Sequence, residues 1–224
     1  MKIIKKLRKA LKWIFFDIKF RIISKKNRPN ILEKSLFIDC GSNVGQGYTY
    51  FKQFFIPKYF DAVLIEPNPN CIKIAKEKFR DIKNIEFLEA AVWVRKEKLK
   101  FFGLVEDSRG NTSTGGSILE NHNSVIYQAD IEKAIEVDAL SFSDLLIEKH
   151  KKYKNIIVKM DIESAEYEVL QDLINKGTLQ FINHIIIEFH SQFFQEADRL
   201  HYKEYESKLI NEMKSKGTAV TMWI

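Results

Sequence analysis

Lys159, Asp161, Glu163, Glu166 and Glu168 stand within ten residues, directly after the apolar run Ile156-Ile157-Val158. Carboxylates gathered at the end of a buried strand are poorly explained as solvation. They can take a proton from a substrate or hold a divalent cation. Two earlier apolar runs also end in acids: Phe37-Ile38 leads into Asp39, and Ala62 to Ile65 leads into Glu66. His190 follows a further apolar run, Ile185-Ile186-Ile187-Glu188-Phe189, and its side chain titrates near neutral pH. Asp161, Glu163 and His190 are therefore the candidates for a general base, with a structural role for His190 equally open. Asp161 and Glu163 could instead hold a cation such as Mg2+, and the sequence leaves the metal undecided.

The elements that must position these groups begin with Phe37-Ile38-Asp39-Cys40-Gly41-Ser42-Asn43-Val44-Gly45-Gln46-Gly47. A strand, a glycine turn and a helix place a nucleotide-like ligand over the carboxyl end of a parallel strand. The spacing is G-x-x-x-G-x-G, not the G-x-G-x-x-G of dinucleotide sites, and Asp39 would repel a pyrophosphate. An acid there suits the sulfonium and amino groups of S-adenosylmethionine (SAM). Glu66 lies 21 residues beyond Gly45, room for one helix and a second parallel strand. A carboxylate at that place accepts both hydroxyls of an adenosine ribose. Ala90 and Ala91 are small enough for an adenine ring to lie against the backbone.

The remaining pattern fits alternating strands and helices. Cys71 to Phe79 is expected to be helical, Ile85 to Val92 a third strand, and Leu99 to Leu104 a further one. Residues 105–124 are polar and glycine-rich, and read as a lid carrying Ser117. Ser141 caps a helix with Asp144 in its first turn. If residues 164–170 are helical, Glu163, Glu166 and Tyr167 share a face.

With 224 residues, 45% hydrophobic and 29% charged, the chain has room for one α/β domain. Cys40 and Cys71 fall in no metal or redox spacing, which suggests free thiols and a cytoplasmic protein. Of the net charge of +6, residues 1–28 carry +10 and the rest −4, so the basic balance is no argument for nucleic-acid binding by the body. Residues 1–28 form a basic amphipathic helix, apolar at Ile3, Leu7, Leu11, Ile14, Ile18 and Ile22. It either lies on an anionic membrane surface as a peripheral contact, or covers the sheet or a homodimer interface. Asn27 to Asn30 then break the pattern before a second unit, residues 31–224.

The chain resembles SAM-dependent methyltransferases of the FkbM family. The resemblance rests on Phe37 to Gly45, Glu66-Pro67-Asn68-Pro69, Ala90-Ala91-Val92, Lys159 to Glu166 and Ile185 to His190. It implies a Rossmann-like α/β class I fold, a mostly parallel six- or seven-stranded sheet with helices on both faces, and methyl transfer to a hydroxyl of a sugar, glycan or secondary metabolite. By the same resemblance Asp39, Gly41, Asn43 and Gly45 cradle the methionine end of SAM, while Glu66, Asn68 and Ala91 serve its adenosine. Lys159, Asp161, Glu163 and His190 would be catalytic, and Ser117, Glu166 and Glu188 would meet the acceptor. Two departures stand out: Ser164 replaces a common glycine, and after a helix over 196–216 only one further strand fits. The sheet is then six-stranded, truncated, or completed by a partner. A run of Asn/Asp-Pro-Pro-Tyr, typical of base-nitrogen methylation, is missing after Lys159. The rival class is a non-catalytic SAM-fold module recruited to membrane or nucleic acid by its basic helix.

Overall fold

The computed structural model describes residues 13–23, 25, 34–103, 112, 115–122 and 131–223. In chain order its strands are β1 (Ser35–Cys40), β2 (Phe60–Ile65), β3 (Ile85–Leu88), β4 (Ala91–Trp93), β5 (Glu97–Phe101), β6 (Ile135–Ser141), β7 (Ile156–Met160), β8 (His184–Ile187) and β9 (Ala219–Met222). The helices are α1 (13–23), α2 (Gln46–Phe51), α3 (Pro69–Lys78), α4 (Phe142–His150), α5 (Glu166–Asn175) and α6 (Glu196–Ser215).

Successive residues of a strand face opposite sides. On β1, Leu36, Ile38 and Cys40 enter one core cluster and Phe37 the other. A sheet apolar on both faces needs a helical layer on each. On the first face α4, α5 and α6 supply Phe142, Leu146, Leu170, Leu173, Leu209 and Met213. On the second, Phe16 and Phe20 of α1 join Tyr48 and Phe51 of α2, with Phe54, Phe55 and Phe79. The main sheet has the order β3-β2-β1-β7-β8-β9 and is parallel throughout. Its register sets Cys40 beside both Ile65 and Met160, so the turns after β1, β2 and β7 open on one edge.

The stretch from Ile85 to Val92 is not one strand. It breaks after Leu88, and β4 leaves the main sheet to pair with β6 in a three-stranded sheet of order β4-β6-β5. The further strand lies at Glu97–Phe101, earlier than its pattern suggested, and Leu104 falls outside the described residues. Most of the 105–124 loop also falls outside them. Its described part is pinned, because Phe102 and Ser117 exchange backbone hydrogen bonds at 2.8 and 3.0 Å. Ser141 does cap α4, accepting from the Asp144 N–H at 3.3 Å.

Among the described residues the main sheet has six strands, β9 being its edge. The inner side of α1 covers this sheet: Phe20 stacks on His184 of β8, and Trp13 and Phe16 pack on Trp223 beyond β9. Its other side exposes Ile14, Phe15, Ile18 and Ile22. No helix among the described residues is long and apolar enough to cross a membrane.

Candidate active site

The turn after β1 needs its glycines for space as well as dihedrals. Gly41 has φ +72°, and a Cβ there would stand 1.9 Å from the Asp161 carbonyl oxygen. A Cβ on Gly45 would meet the Phe79 ring at 2.3 Å, and one on Gly47 the Asp39 carboxylate at 2.6 Å. The Gly41→Ala variant should lose more than about 2 kcal/mol in urea unfolding, since strained backbone and a clash with unyielding main chain add. A loss below about 0.5 kcal/mol would show that the turn relaxes at little cost.

Asp39 is fully buried beneath this turn and does not line the cleft. Its Oδ2 accepts from the Tyr48 N–H at 2.8 Å, and its Oδ1 faces the Lys159 ammonium at 3.2 Å. Burial raises its pKa, and Lys159 opposes the rise. Asp39 thus fixes the turn from beneath it. Lys159 braces the same turn from the wall of the cleft. Its Nζ donates to the Gly41 carbonyl at 2.9 Å and lies 3.2 Å from both Asp39 Oδ1 and Asp161 Oδ2. Burial works against its charge, but Asp161 and Asp39 together push its pKa up.

Glu66, by contrast, lines the cleft. Oε2 accepts from the Asn43 N–H at 2.8 Å and Oε1 from the Asn68 N–H at 2.9 Å. Each oxygen keeps a lone pair for a ligand hydroxyl. Burial raises the carboxyl from its ordinary 4.5 to about 7, against the pull of the two N–H donors. Asn68 uses its side chain as the N-cap of α3, accepting from Asn70 N at 3.0 Å.

The acids after β7 separate once the chain turns. Glu163 and Ser164 both have left-handed backbone, φ +52° and +79°, and α5 begins only at Glu166. The three residues expected on one face therefore diverge. Glu163 faces the cleft, Tyr167 enters the core and donates to Glu206, and Glu166 is fully buried. Glu166 Oε1 accepts from the Ile162 N–H and pairs with His190 Nδ1, both at 2.9 Å. His190 points Nε2 at Asp161 Oδ1, 3.6 Å away, and at Glu163 Oε2, 3.5 Å away. Burial disfavours its charge, yet Glu166, Glu163 and Asp161 raise its pKa to about 10. Burial lifts Glu163 to about 7, with His190 opposing.

Glu166 and His190 do not line the cleft, and neither does half-buried Glu188, whose pKa burial also raises. Ser117 does not reach it either. Its hydroxyl donates to the Glu163 carbonyl at 2.6 Å and accepts from Leu119 N, so it holds the Glu163 turn. Sequence reasoning missed His122, which is buried beside this turn. Its Nδ1 lies 2.7 Å from Ser164 Oγ, and its Nε2 3.4 Å from Glu163 Oε2. Burial lowers its pKa to about 4. Ser164 standing where glycine is common was the signal that could have found it.

Of the expected residues, Gly41, Asn43, Glu66, Asn68, Ala91, Lys159, Asp161 and Glu163 line one cleft; Gly45 shapes it from behind. Ser42, Gln46, Val92, Phe101, Gly116, Ile118 and Trp223 are also part of the wall. These residues fit SAM. Glu66 offers paired acceptors for a diol, Ala91, Val92 and Phe101 an apolar slot for a base, and buried Ser42 Oγ has no hydrogen-bond partner among the described residues.

Residues 39–217 match the family model of the methyltransferase FkbM domain. No curated protein matches the sequence. Among solved structures the chain is similar to methyltransferase FkbM from Methylobacillus flagellatus KT, at 13% identity and a TM-score of 0.46 over 80% of this chain and 37% of that one. It is also similar to the CurJ carbon methyltransferase, at 12% identity and a TM-score of 0.41 over 87% and 46%. The chain thus spans less than half the length of either. With the family model covering most of its length, the chain belongs to the methyltransferase FkbM domain family.

Proposed function

We propose that the enzyme methylates a hydroxyl oxygen, with sugars and related polyols as the acceptor class. The observation that carries this reading is the pair Asp161 and Glu163, two carboxylates lining the same cleft as Glu66. When bound, SAM supplies an electrophilic methyl group, whose carbon–sulfur bond breaks as the acceptor's oxygen–carbon bond forms, the electron pair staying on sulfur. A hydroxyl must also shed its proton, and a carboxylate beside it provides the acceptor. Glu163 fills that place, because Asp161 is tied to Lys159 while one face of Glu163 opens on the cleft. Asp161 accepts from a neighbouring hydroxyl of a polyol acceptor and so orients the reacting one. Holding the reactants in line is the largest contribution, on the order of 7–11 kcal/mol in favourable cases.

The test is calorimetric titration with SAM and its demethylated product, followed by transfer of labelled methyl groups to a panel of sugars, polyols, amines and carboxylic acids. The expected product is a base-stable methyl ether. Label confined to nitrogen, carbon or a base-labile ester would overturn the oxygen assignment. Folded protein that takes up no SAM would overturn the arrangement drawn for the cleft.

A further inference from the structure

We propose that Asp161, Glu163 and His190 bind one divalent cation of the kind that accepts nitrogen as well as oxygen, Mn2+ or Zn2+ before Mg2+ or Ca2+. The use of this cation rests on the hydroxyl-transfer reading above; its binding does not.

The spacing is the first argument. One ligand atom from each residue lies within 4.8 Å of the others. His190 Nε2 stands 3.6 Å from Asp161 Oδ1 and 3.5 Å from Glu163 Oε2. These separations are long for hydrogen bonds. They suit ligands of one ion: bonds of about 2.0–2.2 Å place neighbouring donors roughly 2.8–3.6 Å apart at octahedral or tetrahedral angles.

The second argument is the support behind the donors. A ligating histidine commonly engages its other ring nitrogen with a carboxylate, which fixes tautomer and orientation. Glu166 does this for His190 at 2.9 Å, and is itself held by the Ile162 N–H. Ser117 holds the Glu163 backbone through its carbonyl, and His122 Nε2 stands 3.4 Å from Glu163 Oε2. His122 is in turn held by Ser164. Together these contacts fix His190 and the Glu163 turn beside the cleft. One imidazole and two carboxylates form a mixed donor set; Ca2+ asks for six to eight oxygens, and Mg2+ keeps its waters. A cation here would hold the acceptor oxygen and lower its pKa, while Glu163 ligating through Oε2 leaves Oε1 for the proton.

The experiment strips the full chain with EDTA and titrates it calorimetrically with Mn2+, Zn2+ and Mg2+, with Co2+ absorption as a spectroscopic reporter. The proposal expects one equivalent of Mn2+ or Zn2+, bound at least tenfold tighter than Mg2+ and weakened at least tenfold by His190→Ala or Asp161→Asn. Co2+ should give ligand-field bands without a thiolate charge-transfer band, as Cys40 and Cys71 are buried. This spectrum is read on unaltered protein, so it stands even if a variant fails to fold. Glu66→Ala should lose SAM yet keep the cation. Cation binding without SAM binding would support this site and sink the cofactor arrangement. Folded, SAM-binding protein that takes up none of the cations would overturn the site and leave His190 as an imidazolium among carboxylates. Binding untouched by His190→Ala would overturn it as well.

Discussion

Glu66→Gln should weaken SAM binding by at least two orders of magnitude. The carboxylate accepts backbone N–H bonds on both oxygens, from Asn43 and Asn68. A glutamine amide can satisfy only one of these donors, and turns its NH2 against the other. It also forfeits an acceptor for a ribose hydroxyl. Hydrogen bonds to a charged group contribute about 1.5–3 kcal/mol each, so losing two costs about 3 kcal/mol or more. The same residue sets a pH dependence whose sign is fixed. Hydroxyl donors need the ionised form, and burial places the pKa of the free site at about 7. Affinity should hold above pH 7 and fall about tenfold per unit below it, since binding must then expel a proton. In the ligand-free protein the linkage runs the other way. Glu66 is raised above its ordinary 4.5, so the stability it contributes is complete below that value and is lost as pH rises through about 7. Calorimetric affinities at pH 6, 7 and 8 check the first statement, with a steep profile for the unaltered protein and a flat one for Glu66→Gln; urea unfolding over the same range checks the second. Equal slopes in the two proteins would remove Glu66 from the ribose site.

The largest loss of stability is expected from Lys159→Met. One ammonium holds Asp39, Asp161 and the Gly41 carbonyl together across β1 and β7, whose register sets Asp39 opposite Lys159. Methionine fills similar volume but leaves the fully buried Asp39 without its counter-charge. Breaking a buried pair from one side costs about 3–5 kcal/mol. Urea unfolding should show that loss, and adding Asp39→Asn should recover part of it, because the orphaned charge goes too. A single-variant loss below about 1 kcal/mol would mean that Asp39 is already neutral. Lys159 is thus a positioning residue, and its removal should impair SAM binding through the displaced turn.

What the sequence by itself determined is local. Continuous apolar runs placed β1, β2 and β7, and the closely spaced glycines placed the turn after β1. Glu66 could be read as a ligand acid because it ends an apolar run at a fixed distance from that turn. Ser141 capped its helix as its neighbours require. Each of these depends on residues a few positions apart, where strand pleat and turn dihedrals leave few choices.

Only the tertiary structure decided which acids face a ligand. Asp39 and Glu66 look alike as acids at strand ends, yet one is buried beneath the turn and the other opens on the cleft, because the Lys159 ammonium reaches only the first. The left-handed residues Glu163 and Ser164 rotated Glu166 and Tyr167 away from the face that helical spacing assigns them. His122 reaches Ser164 across 42 residues, and Ser117 reaches the Glu163 carbonyl across 46. Such meetings depend on where residues 115–122 pack against the turn after β7, and no local periodicity encodes that. Sequence spacing therefore named the chemistry of this site, and packing assigned each carboxylate its task.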